Sequence, residues 1–288
     1  WCLFIFLQEI NMRISLFIIG ALLYLAACQQ PSVEASNTAI KPAQRNASTF
    51  QTILDAANVT GAILIFDDNA NAFLSNNFDW AKTGRLPAST FKITNSMIGL
   101  ETGVVKDTTV FKWDRTPQRL PAWEKDLLLR EAFHASCVPC YQQVARGIGA
   151  DRMNEWLKKL DYGKMEVDSN SIDLFWLVGE SKISQFQQID FLKRLYYDKL
   201  PISEKTSKYM KEMIVMEAND RYKLSGKTGW AIRDGHNNGW FVGYLEQENK
   251  VYFFATNIDP KEDFDMSLFP KIRNEITMSA FESLGLKI

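Results

Sequence analysis

The chain has 288 residues, of which 23% are charged, and its formal net charge is -1 at pH 7. Proteins that bind nucleic acids usually carry a strongly basic face, so this near-neutral balance argues against that class of partner. Aromatic residues make up 12% of the chain, which excludes a largely disordered protein and provides apolar surface for a sizeable core.

The first 28 residues predict an export signal. Arg13 follows Met12, and the apolar stretch from residue 14 to residue 25 is too short to cross a bilayer comfortably. The stretch ends in Leu-Ala-Ala-Cys, which resembles the lipobox of bacterial lipoproteins, so we expect a lipid on Cys28 and a periplasmic protein attached peripherally to the membrane. A plain secretory signal with an incidental cysteine and an uncleaved anchor remain the alternatives.

The next part of the chain predicts a flexible tether. Residues 29–48 are polar and contain Pro31 and Pro42. Residues 49–288 contain no second linker, internal repeat or low-complexity tract. We therefore expect this last range to fold as one domain.

Periodicity predicts strands near both ends of that domain and helices between them. Apolar, β-rich runs predict strands at 61–67, 72–74, 222–231, 239–246 and 251–257, with a hairpin turn at Glu248-Asn249. Helical spacing predicts helices at 124–133, 140–148, 153–160, 189–197, 205–216 and 269–284, the last stopped by Gly285.

This order of elements predicts an α+β fold, arranged as an α/β sandwich. We expect an antiparallel sheet flanked by N- and C-terminal helices, with an all-helical lobe inserted between its strands. A cleft between the sheet and the lobe is a natural place for a functional site.

One lysine stands in an unusually apolar segment, RLPASTFKITNSMIGLE, three residues after Ser89. On a helix, Lys92 would reach the hydroxyl of Ser89, and burial would favour the neutral amine, which acts as a base. The pattern is weak when taken alone, because an N-cap serine beside a snorkelling lysine has the same spacing.

Two further patterns accompany this pair. On a strand, Lys227 and Gly229 would face one way, so that Gly229 leaves room for a ligand and Lys227 attracts an anion. Ser136, just after an amphipathic segment, would either pass a proton or cap a helix. Each pattern has an ordinary structural explanation when considered alone.

Together, these patterns resemble a known family. The ordered set Ser89–Lys92 (STFK), Ser136–Val138 (SCV) and Lys227–Gly229 (KTG) is similar to that of the penicillin-recognising serine acyl-enzymes, and within them to the class D (oxacillinase-type) serine β-lactamases. The separations of the three motifs, the segment Asp173–Leu177 (DLFWL) and Arg273 in the last predicted helix fit the same family. The similarity runs from about residue 57 to the C-terminus.

The resemblance implies that the domain hydrolyses β-lactam antibiotics and so confers antibiotic resistance, through an acyl-enzyme on Ser89. Lys92 would take up carbon dioxide as a carbamate and serve as the general base, with no separate cofactor and no metal. The other implied roles are a proton relay at Ser136, a carbamate pocket of Val138, Trp176 and Leu177, substrate binding by Lys227, Thr228, Gly229, Trp230 and Arg273, and an oxyanion hole from the backbone N–H groups of Ser89 and Trp230.

Other catalytic constellations are disfavoured by the composition. His134 and His236 are the only histidines, so a Ser-His-Asp triad or a His-rich zinc site would have to use one of them. His236 lies in the polar stretch RDGHNNG, for which we expect a solvated loop.

Two features depart from the pattern of the family. Lys164 stands where the family commonly carries asparagine, which puts a role for that side chain in doubt. Cys137 and Cys140 are either a local disulfide or, as we expect, two small packing residues.

The alternative functions are a non-hydrolytic β-lactam sensor, a penicillin-binding transpeptidase domain, or a lipid-anchored binding protein without catalysis. The last would leave a buried Lys92 unexplained. The expected partner is a small-molecule β-lactam, and the protein is expected to be a monomer or a homodimer. The sequence does not determine which β-lactams are accepted, because that depends on loop shape around Trp113, Tyr141 and Trp230.

Overall fold

A computed structural model describes residues 41–288 of the chain. The strands of this range are β1 (Ala43–Asn46), β2 (Val59–Asp67), β3 (Ala72–Ser75), β4 (Val110–Phe111), β5 (Leu127–Leu128), β6 (Val215–Ala218), β7 (Lys223–Arg233), β8 (His236–Gln247) and β9 (Lys250–Pro260). Seven of them form one sheet in the order β1-β3-β2-β9-β8-β7-β6, and β4 pairs with β5 in a separate two-stranded sheet.

The helices of this range surround the large sheet. They are α1 (Ser48–Ala56), α2 (Phe78–Lys82), α3 (Lys92–Glu101), α4 (Leu129–His134), α5 (Val138–Ile148), α6 (Ala150–Leu160), α7 (Gln185–Tyr196), α8 (Glu204–Met213) and α9 (Phe269–Ser283). Two 3₁₀ turns, Ala88–Phe91 and Pro121–Trp123, complete the set. Helices α3 to α8 lie in the chain between β3 and β6 and form the inserted lobe that the sequence predicts.

Side chains of β9 alternate between the two faces of the sheet, as the pleat requires. Phe254 packs in a core cluster with Phe50 of α1 and Phe281 of α9. Phe253, the preceding residue, packs in a second cluster with the helical lobe, including Leu192 of α7. The sheet is therefore buried on both faces, which confirms the α+β architecture with N- and C-terminal helices on one side.

Two hairpin turns fix the register of the three long strands. Glu248 and Asn249 have φ values of 51° and 62°, and Asp234 and Gly235 have values of 51° and 79°. Positive φ at both central residues is typical of the type I′ turn that joins antiparallel strands. The first turn is the one predicted, whereas His236 opens β8 rather than lying in a loop, although its side chain is exposed.

The prediction of a purely antiparallel sheet misses one pair. β1 runs parallel to β3, with Ala43 opposite Ala72, while every other pair in the large sheet is antiparallel. Residues 43–46 also lie inside the predicted tether 29–48. All four side chains of β1 are exposed, so the strand is held by backbone pairing and its sequence shows no apolar alternation.

Two predicted helices include residues that form strands in the structure. The expected helix 124–133 begins only at Leu129, because Leu127 pairs with Phe111 across the small sheet. The expected helix 205–216 ends at Met213, since Val215 already pairs with Ser225 of β7. In both cases, residues of the predicted helix pair with a neighbouring strand instead.

Residues Pro42–Ile288 form one compact unit. Within residues 41–288, the structure contains no helix with the length and apolar character needed to cross a bilayer. The predicted signal and lipidation segment at 1–28, including Cys28, and the tether up to residue 40 lie outside the described residues.

Candidate active site

Ser89 lies in the 3₁₀ turn Ala88–Phe91, which leads directly into α3 at Lys92. Its side chain is partly exposed, whereas the other residues of the turn are buried. Ala88 has a φ of 50°, a left-handed conformation that costs about 1–2 kcal/mol for a residue with a Cβ. The N–H of Ala88 donates to the carbonyl of Trp176 at 2.8 Å, which stabilises this backbone conformation.

Buried side-chain hydrogen bonds from the sheet and from α7 hold the same turn. The indole N–H of Trp240 donates to the carbonyl of Leu86 at 2.9 Å. The side chain of Gln188 donates to Thr90 Oγ1 at 2.9 Å, and that hydroxyl donates to the carbonyl of Pro87 at 2.7 Å. The sequence analysis assigns Trp240 to packing and does not identify Gln188. Each of these side chains bonds to a residue that is far away in the chain, so no local pattern indicates the contact.

Lys92 is fully buried, and its Nζ lies 3.0 Å from Ser89 Oγ. Burial, reinforced by the positive charge of Lys227, lowers the pKa of Lys92 well below its ordinary value. Burial therefore favours the neutral amine, which is a base and a nucleophile rather than a cation.

Trp176, whose ring stacks on the residue before Lys92, carries a buried polar group with no partner. The side chain is fully buried, its ring stacks on Phe91 at 5.5 Å between centroids, and its indole N–H has no hydrogen-bond partner within the described range. An unpaired buried donor is rare, because it loses its hydrogen bonds to water without replacement.

Ser136 and Lys227 meet across the cleft between the lobe and the sheet. Lys227 Nζ donates to Ser136 Oγ at 2.9 Å and to the carbonyl of Thr228 at 3.2 Å. Burial, followed by the charge of Arg273, lowers the pKa of Lys227 to about 7. The hydroxyl of Ser136 thus receives its hydrogen bond from a group that loses its proton near neutral pH.

Gly229 allows β7 to lie against the turn that carries Ser89. A Cβ at this position would lie 3.1 Å from both the carbonyl oxygen of Pro87 and Thr90 Cγ2. Lys227 and Gly229 share one face of β7, as the pleat predicts. The space that the sequence assigns to a ligand is thus occupied by the neighbouring protein segment.

The opposite face of β7 packs toward α9. The ring of Trp230 lies 5.2 Å from that of Phe269, and its indole N–H donates to Asn237 Oδ1 at 2.8 Å. Thr228 and Trp230 are both partly exposed. Their side chains consequently leave the cleft face to Lys227 and Gly229.

Arg273 of α9 reaches the edge of the cleft from behind the sheet. The buried guanidinium donates to the carbonyl of Gly229, to that of Phe269 at 3.1 Å and to that of Pro270 at 3.0 Å. Burial lowers its pKa to about 10, so it remains charged at neutral pH. Its path depends on Gly239, where a Cβ would lie 2.8 Å from Arg273 Cδ.

A buried pair of hydroxyl groups lies close to Lys92. Ser96 Oγ and the hydroxyl of Tyr141 are 2.7 Å apart, both fully buried, and the ring of Tyr141 is centred 5.2 Å from Lys92 Nζ. The side chain of Asn95 also donates to the carbonyl of Tyr141 at 3.1 Å. In the sequence, only the position of Ser96, one helical turn beyond Lys92, points to the contact between Ser96 and Tyr141.

Cys137 and Cys140 form a disulfide, so the expectation that they are two separate packing residues is wrong. The local geometry explains the bond: Cys137 is the N-cap of α5 and Cys140 lies in its first turn, which places their Cα atoms 5.5 Å apart.

The remaining predicted residues lie near the site or at the surface. Val138 and Leu177 are partly buried and pack against the core cluster that contains Trp176. Lys164 is exposed and forms an ion pair with Glu166 at 3.1 Å, which assigns its side chain to the surface. Within residues 41–288, no group of three or more His, Cys, Asp or Glu side chains could hold a metal ion.

The chain was compared with protein families and with individual proteins. The family model described as the penicillin-binding protein transpeptidase domain matches residues 50–278. β-Lactamase OXA-10 of Pseudomonas aeruginosa is 38% identical over 255 residues, which cover 87% of this chain and 94% of that protein. β-Lactamase OXA-48 of Klebsiella pneumoniae is 40% identical over 217 residues, which cover 75% of this chain and 82% of that protein.

Solved structures agree with these sequence comparisons. The crystal structure of the class D β-lactamase YbxI from Nostoc has 41% sequence identity and a TM-score of 0.77, covering 83% of this chain and 99% of that one. The class D β-lactamase from Sebaldella termitidis has 37% identity and a TM-score of 0.80, covering 86% and 100%. The fold, the site and these relatives together show that the chain belongs to the class D serine β-lactamases.

Proposed function

We propose that Ser89 is the nucleophile with which this class D serine β-lactamase hydrolyses β-lactams, and that Lys92, carboxylated on its amine, is the general base. One observation carries the proposal: Ser89 Oγ is partly exposed and lies 3.0 Å from the fully buried Lys92 Nζ. A hydroxyl becomes a useful nucleophile only when a base stands within hydrogen-bond reach, and this is the arrangement of an activated serine.

Acylation follows from the positions of the surrounding groups. Ser89 Oγ attacks the lactam carbonyl carbon while its proton leaves toward the end of the Lys92 side chain. The backbone N–H groups of Ser89 and Trp230 stabilise the negative oxygen that forms. The carbon–nitrogen bond then breaks, and Ser136, which accepts a hydrogen bond from Lys227, delivers a proton to the leaving nitrogen.

The pocket of Lys92 suits carboxylation. Burial lowers the pKa of its amine and so favours the neutral form, which combines with carbon dioxide, and the unpaired indole N–H of Trp176 offers a donor to the product. Val138 and Leu177 supply apolar surface beside it. When bound, the carbamate supplies an oxygen base for acylation and for activation of the hydrolytic water.

Substrate binding uses the charges along β7. Lys227 provides a cation on the cleft face of the strand, and Arg273 provides a second one from behind the sheet, at the carbonyl of Gly229. The carboxylate of a β-lactam is the complementary group, and Lys227 would hold it through a charge-assisted hydrogen bond.

The test measures hydrolysis of a β-lactam in solution and the acyl adduct that it leaves on the protein. The purified chain should hydrolyse a chromogenic cephalosporin with repeated turnover, and added bicarbonate should raise the rate. Ser89→Ala should abolish both turnover and the acyl adduct seen by intact mass spectrometry. Lys92→Ala should acylate slowly and keep the adduct for a long time, with Lys193→Ala, a lysine of α7 outside the site, as the matched control.

A single stoichiometric burst without turnover would contradict hydrolysis and indicate a sensor or a transpeptidase. Carbon-13 NMR with labelled bicarbonate tests the modification separately. A carbamate signal should be present in the wild type and in Lys193→Ala and absent from Lys92→Ala. Equal signals in all three proteins would contradict carboxylation of Lys92.

We also propose export of the protein to the periplasm and attachment to the membrane through a lipid on Cys28, a proposal supported by the sequence of residues 12–28 alone. Cys28→Ser should release the protein from the membrane fraction of the cells that produce it. Unchanged fractionation would contradict the lipid anchor.

A further inference from the structure

The disulfide between Cys137 and Cys140 borders a cavity of about 210 Å³ on the outside of the lobe. Three of the lining residues are cationic, Lys112, Lys125 and Arg146, and one is acidic. Lys112 and Arg146 form ion pairs with other acidic residues, whereas Lys125 forms none within the described part of the chain. Because both of those cations are paired, Lys125 and the acidic lining residue, Asp114, offset each other, so the cavity has the size to admit a small thiol but no excess of positive charge.

The two sulfurs differ in exposure and in environment. Cys140 is 8% exposed and Cys137 is 2% exposed. Cys137 is the N-cap of the eleven-residue helix α5, and its sulfur accepts a hydrogen bond from the backbone N–H of Cys140 at 3.2 Å. A helix N-terminus stabilises a thiolate, so Cys137 is the better leaving group and Cys140 the more accessible point of attack.

We propose that this disulfide is a site of thiol–disulfide exchange with a small thiol that enters this cavity, and that opening it displaces Ser136. The thiolate of the small molecule attacks Cys140 Sγ, the bond between the two cysteine sulfurs breaks, and its electron pair leaves on Cys137 Sγ. A second thiolate attacks the small-molecule sulfur of the mixed disulfide and releases Cys140. Two small thiols are thereby oxidised to their disulfide while the protein disulfide is reduced to two thiols.

The link to catalysis is the residue before Cys137. Ser136 has a φ of 53°, a left-handed conformation that a residue with a Cβ adopts only under constraint from its surroundings. Its hydroxyl accepts the hydrogen bond of Lys227 in that conformation. The disulfide fixes the backbone immediately after it, so reduction removes a constraint on the Ser136 side chain. This consequence depends on the proton-relay role proposed above for Ser136.

The exchange is tested without any β-lactam. The full chain, in its oxidised form, is treated with glutathione, quenched in acid and mapped by peptide mass spectrometry. Peptide mapping is needed because Cys2 and Cys28 could also form adducts. We expect a glutathione adduct on Cys140. No adduct on the native protein, with one on the unfolded protein, would overturn the exchange.

The effect on catalysis is measured on the same samples. Reduction should lower kcat for a chromogenic cephalosporin roughly tenfold with a smaller change in KM, within the range that mispositioning of a catalytic group costs, and reoxidation should restore it. Cys137→Ser/Cys140→Ser should match the reduced wild type and should not respond to thiols. Equal kcat in the oxidised and reduced wild type would overturn the displacement of Ser136. A protein without turnover in either state would instead contradict the proposed function, and the adduct would still decide the exchange.

Discussion

Lys227 Nζ donates a hydrogen bond to Ser136 Oγ over 2.9 Å and so connects β7 of the sheet to the helical lobe. Burial and the charge of Arg273 lower the pKa of Lys227 to about 7, which means that the ammonium loses its proton as the pH rises through neutrality. In the proposed function, the charged form of Lys227 is the one that holds a substrate carboxylate. Since kcat/KM reports on the free enzyme, we expect it to fall as the pH rises above about 7.

The control for this pH dependence is Lys227→Arg. An arginine keeps its charge throughout the pH range of the assay, although its fork fits the site less well. We therefore expect a lower kcat/KM that no longer falls between neutral and mildly alkaline pH. A fall at the same pH in both proteins would assign the titration to another group.

The unpaired indole N–H of Trp176 leads to a second prediction. Trp176→Phe removes that donor, and we expect the variant to need more bicarbonate for half-maximal activity and to accumulate acyl-enzyme. Trp240→Phe is the matched control, because Trp240 is equally buried but its indole N–H is bonded to the carbonyl of Leu86. Each substitution should lower the free energy of unfolding by about 1–3 kcal/mol, measured in urea, since each leaves space in the core.

The bicarbonate dependence, rather than the stability, separates the two tryptophans. If both variants shift it equally, the role assigned to the Trp176 indole is wrong. If only Trp176→Phe shifts the bicarbonate dependence, the unpaired donor accounts for the difference, because both variants lose the same side-chain volume.

The long strands could be predicted from the sequence because they carry their own signals. β7, β8 and β9 are apolar runs, and Glu248-Asn249 adopts the positive φ values that its turn requires. β1 carries no such signal, since its exposed side chains bury nothing and its place is set by backbone pairing with β3. β5 is hidden for a different reason, because it is only two residues long.

Within the site, the sequence identifies groups that lie in short motifs, such as Ser89 with Lys92. It does not identify contacts between residues that only the fold brings together. Gln188 bonds to Thr90 across 98 residues of chain, and no local pattern marks either of them as partners. The disulfide at Cys137 was undecided for a different reason, since the spacing fits both a bond and two packed thiols.

The buried pair of Ser96 and Tyr141 supports a prediction on stability. Burial raises the pKa of Tyr141, so its hydroxyl is neutral and needs a partner, and Ser96 Oγ lies 2.7 Å away. Ser96→Ala leaves that hydroxyl buried and unpaired, which should lower the free energy of unfolding by about 1–3 kcal/mol. Tyr141→Phe should cost less, because Ser96 can bond to a carbonyl of its own helix.

A double-mutant cycle isolates the contact. Ser96→Ala/Tyr141→Phe should be more stable than the sum of the two single effects predicts, because neither polar group is then left behind. The free energies are measured by urea unfolding of all four proteins. Additive effects would show that the two hydroxyls do not interact.

Gly239 supports a prediction about Arg273. A Cβ at Gly239 would lie 2.8 Å from Arg273 Cδ and 2.8 Å from Phe269 Cζ, closer than side chains pack. Gly239→Ala should therefore push the guanidinium away from the carbonyl of Gly229. KM for a β-lactam should rise roughly tenfold or more, which corresponds to the loss of about 1.5–3 kcal/mol from a hydrogen bond to a charged group, while kcat should change less.

Comparison with Arg273 variants decides whether the arginine mediates this effect. In Gly239→Ala/Arg273→Ala, the added methyl group has no guanidinium to displace, so KM should equal that of Arg273→Ala alone. The contact with Phe269 is common to both proteins that carry Gly239→Ala, and thermal unfolding measures its cost separately. A KM that rises further in the double variant would mean that the methyl group acts on β8 or Phe269, and that Gly239 does more than leave room for Arg273.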